Sequence, residues 1–168
     1  MISQAEEDFL LAFSGLLAFV TRADGVVTKD EVDEMERMLA RMGLSRAAHA
    51  LCVGNFMIVQ CEGGDPKGLV EELCTMLNGT ARVFLLGLLW RIANADWRIA
   101  GAEERVLEEI GLALEIDPAI RSQCREGALP AFAPAELEAA GVPAVLARLG
   151  GPKDGSVGTD GLGFWSRF

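Results

Sequence analysis

The sequence predicts an all-α protein, a compact bundle of about seven helices with an internal pseudo-twofold repeat. Three observations predict it. First, a helix–turn–helix stretch is written twice, 72 residues apart. The first copy, 13–44, centres on Arg22-Ala23-Asp24-Gly25-Val26-Val27, and the second, 85–116, on Asn94-Ala95-Asp96-Trp97-Arg98-Ile99. At that offset Gly15-Leu16-Leu17 falls on Gly87-Leu88-Leu89, Glu31 on Glu103 and Glu36 on Glu108. Apolar positions fall on apolar ones: Val20 on Ile92, Met35 on Leu107, Met38 on Ile110 and Leu44 on Ile116. Second, apolar residues recur at helical spacing and do not alternate as in a strand. Third, the periodic segments are bounded by helix caps and glycine or proline breaks.

Each element has a local reason. Ser3 caps the first helix, with Glu6 as reciprocal capping partner. From Phe9 to Val20 this helix is apolar on nearly every side, which places it in the centre of the core. Asp24-Gly25 closes it, glycine supplying a left-handed residue. Thr28-Lys29-Asp30-Glu31 opens the second helix as a capping box, with acids at the positive helix end. Val32, Met35, Met38, Leu39 and Met42 form its buried face, and Gly43 ends it. Ser45 caps a third helix to about Gln60. Asp65-Pro66 opens a fourth, proline being suited to the first helical position. Asn78-Gly79 stops it after Leu77, and Thr80 starts the fifth, which ends near Asp96. A sixth begins near Gly101 with Val106, Leu107, Ile110 and Leu114 as its buried face. Asp117-Pro118 opens a seventh, to about Cys124.

Three regions follow: a helical domain over 1–126, a short helical extension over 127–149, and a glycine-rich tail over 150–168. Pro130, Pro134, Gly141 and Pro143 cut the extension into pieces at Ala135–Ala140 and Pro143–Leu149. The tail composition predicts flexibility, and its end, Phe164-Trp165-Ser166-Arg167-Phe168, is an apolar handle that packs back on the core or seeks a groove.

Composition narrows the function. Net charge is −10 and the isoelectric point about 4.6, which argues against nucleic acid or an anionic membrane surface as ligand. It suits cations and basic partners. The apolar run Phe9–Val20 is shorter than the ~20 residues of a spanning helix, and the acidic N-terminus lacks the basic region of a leader peptide. Four cysteines and one histidine carry no zinc-ligand spacing. The expectation is a reduced, cytoplasmic protein, monomer or homodimer, with no membrane insertion.

The repeated Ala-Asp-(Gly)-x-(Val/Ile) turn, each followed by a Glu-bearing helix, resembles the TerB-like family. That family includes the tellurite-resistance protein TerB and the N-terminal domain of DjlA-type co-chaperones. The segment 19–28 carries the first family turn; Ile92–Ile99 with Ala102-Glu103-Glu104 carries the second. The similarity spans about residues 9–120. It implies an all-α fold and a bacterial stress-response module, with a divalent cation held by acidic residues. By motif these are Asp24, Glu31, Asp96 and Glu103. The expectation is a domain with neither membrane anchor nor J domain, so the Hsp70-stimulating activity of DjlA is not carried over. Trp97 stands where the family has glycine.

Each candidate has a structural alternative. Asp24 and Asp96 also suit capping the amides of the turns they open, and Glu31 suits the capping box of Thr28. Glu103 has no such cap, since Ala100 lacks a side-chain oxygen. An EF-hand is excluded, because Val20 and Arg22 stand where its first ligands belong. His49, in an apolar context, reads as a packed or surface residue. No nucleophile elbow, phosphate loop or paired carboxylates accompany it, so the chain reads as non-enzymatic. Two function classes remain: a cation-binding stress module, or a protein-interaction accessory of co-chaperone type with purely structural Asp turns.

Overall fold

The structure is a computed structural model that describes residues 2–23, 29–62, 66–96 and 101–149; the side chains of Asp30, Glu31, Glu34, Ala95, Asp96 and Leu149 are outside the description. Among the described residues the chain forms nine α-helices and no strand: α1 (Gln4–Thr21), α2 (Lys29–Arg41), α3 (Arg46–Glu62), α4 (Pro66–Met76), α5 (Gly79–Asp96), α6 (Gly101–Ala113), α7 (Pro118–Arg125), α8 (Pro134–Ala139) and α9 (Ala144–Leu149). The glycine-rich tail, the Asp24-Gly25 closure and Thr28 cap, Asp65 and Trp97 lie outside the described residues.

Three of the expected caps are formed. The Ser3 and Glu6 main-chain amides exchange hydrogen bonds with each other's side chains at 2.9 and 3.2 Å. Ser45 Oγ accepts from the Ala48 amide at 3.2 Å, and Asp117 Oδ1 from that of Ala119 at 2.9 Å. Two boundaries differ from the expectation. The α-helix of α1 ends at Thr21, because the chain tightens there: the Ala23 amide donates to the Val20 carbonyl three residues back, at 3.3 Å. Asn78-Gly79 opens α5 as well as ending α4, since Asn78 Oδ1 accepts from the Ala81 amide at 2.9 Å and serves as N-cap.

α1 and α5 are the axial helices. In α1 every residue from Phe9 to Thr21 except Leu11 is buried, and Ala81 and Phe84–Trp90 are sealed in α5. The two meet near their N-terminal ends, where the Phe9 and Phe84 rings stand 6.1 Å apart at 52°, a tilted arrangement favoured by the ring quadrupoles. α1 lies along α3, and α5 along α7.

The repeat extends further than the two motifs. α2 and α6 coincide end for end at the 72-residue offset, and α3 and α7 begin at equivalent positions. Cys52 and Cys124 are equivalent, free and fully buried, each thiol directed at a carbonyl of its axial helix, Leu10 at 4.0 Å and Val83 at 3.8 Å. Gly43 and Glu115, also equivalent, both adopt left-handed backbone, φ +71° and +58°. The second copy makes this turn with a residue for which it costs about 1 kcal/mol.

The extension belongs to the same core. Leu137, Ala140, Val142 and Leu146 are buried in it. A Cβ on Gly141 (φ +77°) would stand 2.5 Å from the Ala5 carbonyl oxygen, and one on Gly43 would meet Val145 at 3.8 Å. The α8–α9 segment thus reaches from the start of α1 to the α2–α3 turn.

Candidate functional site

The C-terminal ends of α1 and α5, which lead into the two acidic segments of the repeat, are fastened in similar ways. At the end of α1, Thr21 Oγ1 sits 2.9 Å from the Ala18 carbonyl and 3.1 Å from that of Leu17, and accepts from Gln60 Nε2 at 3.3 Å. Arg22 Nη1 donates to the Gln60 carbonyl at 3.2 Å. At the end of α5, Asn94, equivalent to Arg22, donates through Nδ2 to the Arg125 carbonyl at 3.4 Å. Each axial helix is tied to the closing turn of its flanking helix, and carbonyls otherwise exposed there gain a donor.

The second turn has an added clamp. The Arg125 guanidinium pairs with Glu104 and, at 3.0 Å, with Glu108, and lies 5.8 Å from the centroid of the Trp90 ring. α6 therefore docks its acidic face on α7 by two ion pairs, and the same guanidinium ties α7 to α5 by a cation–π contact with Trp90. Sequence reasoning missed this cluster. Its partners stand 17 and 21 residues apart on different helices, and no short motif joins them.

Of the four sequence-predicted carboxylates, Asp24 lies outside the described residues. Glu31 is in the first turn of α2 and Asp96 is the last residue of α5; their side chains are outside the description. Glu103, in the first turn of α6, is half-buried. Glu31 and Glu103 are the third residues of equivalent helices, so backbone equivalence holds for that pair. As donors the four offer carboxylate oxygen only, a set that fits a hard cation such as Ca²⁺ or Mg²⁺ better than a thiophilic one. Among the described residues, no three His, Cys, Asp or Glu stand together as a metal-holding group. His49 is half-buried on α3, and its Nε2 has no hydrogen-bond partner among the described residues.

The remaining ionisable groups of note are structural. Burial pushes the Cys52 thiol up to about 12 and the Cys124 thiol up to about 11, so neither is a thiolate nucleophile near neutral pH. Burial lowers the Arg91 guanidinium from its usual value; it remains a cation at neutral pH. No helix among the described residues is long and apolar enough to cross a membrane.

The fold and the repeat define a class: a duplicated helical module in which each axial helix is followed by an equivalent helix, α2 or α6, 72 residues apart. The family model described as tellurite resistance protein TerB matches residues 10–126, and the chain belongs to that family. Comparison with curated proteins and with solved structures finds no match.

Proposed function

We propose that the chain is a non-enzymatic TerB-type module of bacterial stress physiology, acting in the cytoplasm, and that Asp24, Glu31, Asp96 and Glu103 hold a divalent cation. The observation that carries this reading is the end-for-end equivalence of α2 and α6. It sets Glu31 and Glu103 at matched positions in the two halves, each seven residues after its aspartate, Asp24 or Asp96, in sequence. A repeat that keeps two carboxylates in register in both halves has a donor set from which one ion can draw on each half. The net charge of −10 adds a favourable field for any cation.

The test is a titration of isotopically labelled protein with Ca²⁺, Mg²⁺ and Zn²⁺, followed by amide shifts. Saturable shifts are expected at the two turns and at the starts of α2 and α6, and Glu103→Gln with Asp96→Asn should abolish them. Unmoved turns at millimolar ion would dispose of the cation reading and leave the aspartates as amide caps.

A second reading, a protein-interaction accessory with purely structural Asp turns, is favoured by one feature. The outward face of α3 exposes Met57 and Ile58. Under that reading Trp97→Ala or loss of 164–168 weakens partner capture, and the turns stay silent to metal.

A further inference from the structure

α3 is charged only at its two end residues, Arg46 and Glu62. Between them the exposed positions are Ala47, Ala50, Gly54, Met57, Ile58 and Cys61, which fall on one side of the helix. This stripe contains no charge and no amide or hydroxyl group. Met57 is 40% exposed and Ile58 55%. A surface helix ordinarily turns charged residues outward, as α2 does with Glu36, Arg37 and Arg41. A continuous apolar face of this kind marks a contact surface.

We propose that this face is the docking surface for the chain's own aromatic segment Phe164-Trp165-Ser166-Arg167-Phe168, bound in cis. Three observations select that occupant. The first is reach. α9 adjoins the α2–α3 turn, Val145 lying against Gly43, and Ile58 is about 20 Å along α3 from Ser45 at 1.5 Å per residue. The connection 150–163 is rich in glycine, and a chain of that length and composition has a mean span of about 20 Å. The second is shape and chemistry. Ala47, Ala50 and Gly54 leave low ground beside Met57 and Ile58, a relief suited to flat rings, and the methionine thioether adapts to aromatic partners. Phe164, Trp165 and Phe168 put three aromatic rings within five residues. The third is charge. Arg167 complements Glu62 at the end of the stripe, whereas the net charge of −10 opposes pairing two copies here. This inference does not rest on the cation reading.

Cys61 provides the test, because it is exposed within the stripe. The alkylation rate of Cys61, read by peptide mass spectrometry on the full chain, is compared with that of Phe164→Ser/Trp165→Ser/Phe168→Ser. Half-buried Cys74 serves as internal reference. A millimolar effective concentration of the tethered segment should slow Cys61 about tenfold relative to the triple variant. Ile58→Gln, at an exposed position, should restore the fast rate with the tail intact. The protection should be unchanged on dilution. Equal Cys61 rates in wild type and triple variant would overturn the proposal. So would protection that fades on dilution, which would assign the face to a second copy, or a stripe that stays shielded without the three aromatic rings.

Discussion

Cys52 and Cys124 occupy matched places in the two halves, both sealed in the core, yet the helices that carry them meet solvent differently. α7 exposes Ser122, Gln123 and Arg125 and spends its arginine on an ion-pair clamp to α6. α3 is twice as long, exposes an apolar stripe, and anchors itself through Asn55, whose Nδ2 donates to the Leu11 carbonyl and to Ser14 Oγ, both at 2.9 Å. The position equivalent to Asn55 is Gly127, where the second copy turns with φ +78° and its helix is over. The interior of the repeat is thus held by one rule, contact with an axial helix. The exterior of each copy is free to serve a different end.

The largest test of that shared interior is alkaline. Burial holds both thiols above the ordinary cysteine value, at about 12 for Cys52 and about 11 for Cys124. Above pH 9 the unfolded chain loses these protons first, so it binds fewer protons than the native state and stability falls as pH rises. The slope is about 1.4 kcal/mol per pH unit for each thiol. The Cys124 contribution should level off near pH 11 and that of Cys52 near pH 12. Urea unfolding across this range should show a shallower fall in Cys52→Ala and in Cys124→Ala than in wild type. An unchanged slope in both variants would mean that neither thiol is sealed, and a change in one alone that the two are not sealed alike.

Gly15 and Gly87 break the symmetry of the axial helices. A Cβ on Gly87 would stand 2.0 Å from Leu129 Cδ2 and 2.7 Å from its Cγ, whereas one on Gly15 comes no nearer than 3.0 Å, to Leu69 Cδ2, with Asn55 Nδ2 at 3.5 Å and Val59 Cγ2 at 3.8 Å. Gly87→Ala should therefore cost about 2 kcal/mol by overpacking. Gly15→Ala should stay within about 1 kcal/mol of wild type, since the helix propensity of alanine offsets a mild contact. Chemical denaturation of the two variants compares them directly.

The anchors are expected to matter less. Asn55→Ala removes two hydrogen bonds and should cost about 1 kcal/mol. Arg125→Ala should cost about 1 kcal/mol or less, because the pair is half exposed and screened, and its loss should diminish with added salt. The smallest effect is a gain. Glu115→Gly relieves a left-handed glutamate and should stabilise by about 0.5–1 kcal/mol after the entropy of the freer unfolded chain is counted. Gly43 shows the form this turn takes when glycine is already present.

Much of the fold was legible because helices are written locally. Ser3, Ser45 and Asp117 announce their helices by a side-chain oxygen beside an amide, and Met35, Met38, Leu39 and Met42 announce a buried face by spacing alone. The role of Asn78 was misread because Asn-Gly both ends and begins helices; only the contact to the Ala81 amide decides between them. That α3 and α7 are copies of one another went unseen, although their caps, Ser45 and Asp117, and their cysteines, Cys52 and Cys124, fall at the same 72-residue offset; those spacings were the available signal. The Arg125 cluster was invisible for another reason: it joins α5, α6 and α7 in space and leaves no trace in sequence order. Of the candidate cation site, only the shared offset of Glu31 and Glu103 was legible, and both fall at the third residue of helices with equivalent bounds, α2 and α6.

The contact of Gly141 with Ala5 bears on how the chain reaches its native state. The start of α1 gains its last neighbour from a residue 136 positions later. Synthesis at about 5–20 residues per second leaves α1 waiting roughly 7–27 s for that neighbour. During this interval the most apolar helix of the protein lacks its lid, so the nascent chain is most exposed to aggregation before Gly141 and Leu146 leave the ribosome. Shortening the chain ahead of α8 should therefore lower soluble yield far more than it lowers helix content.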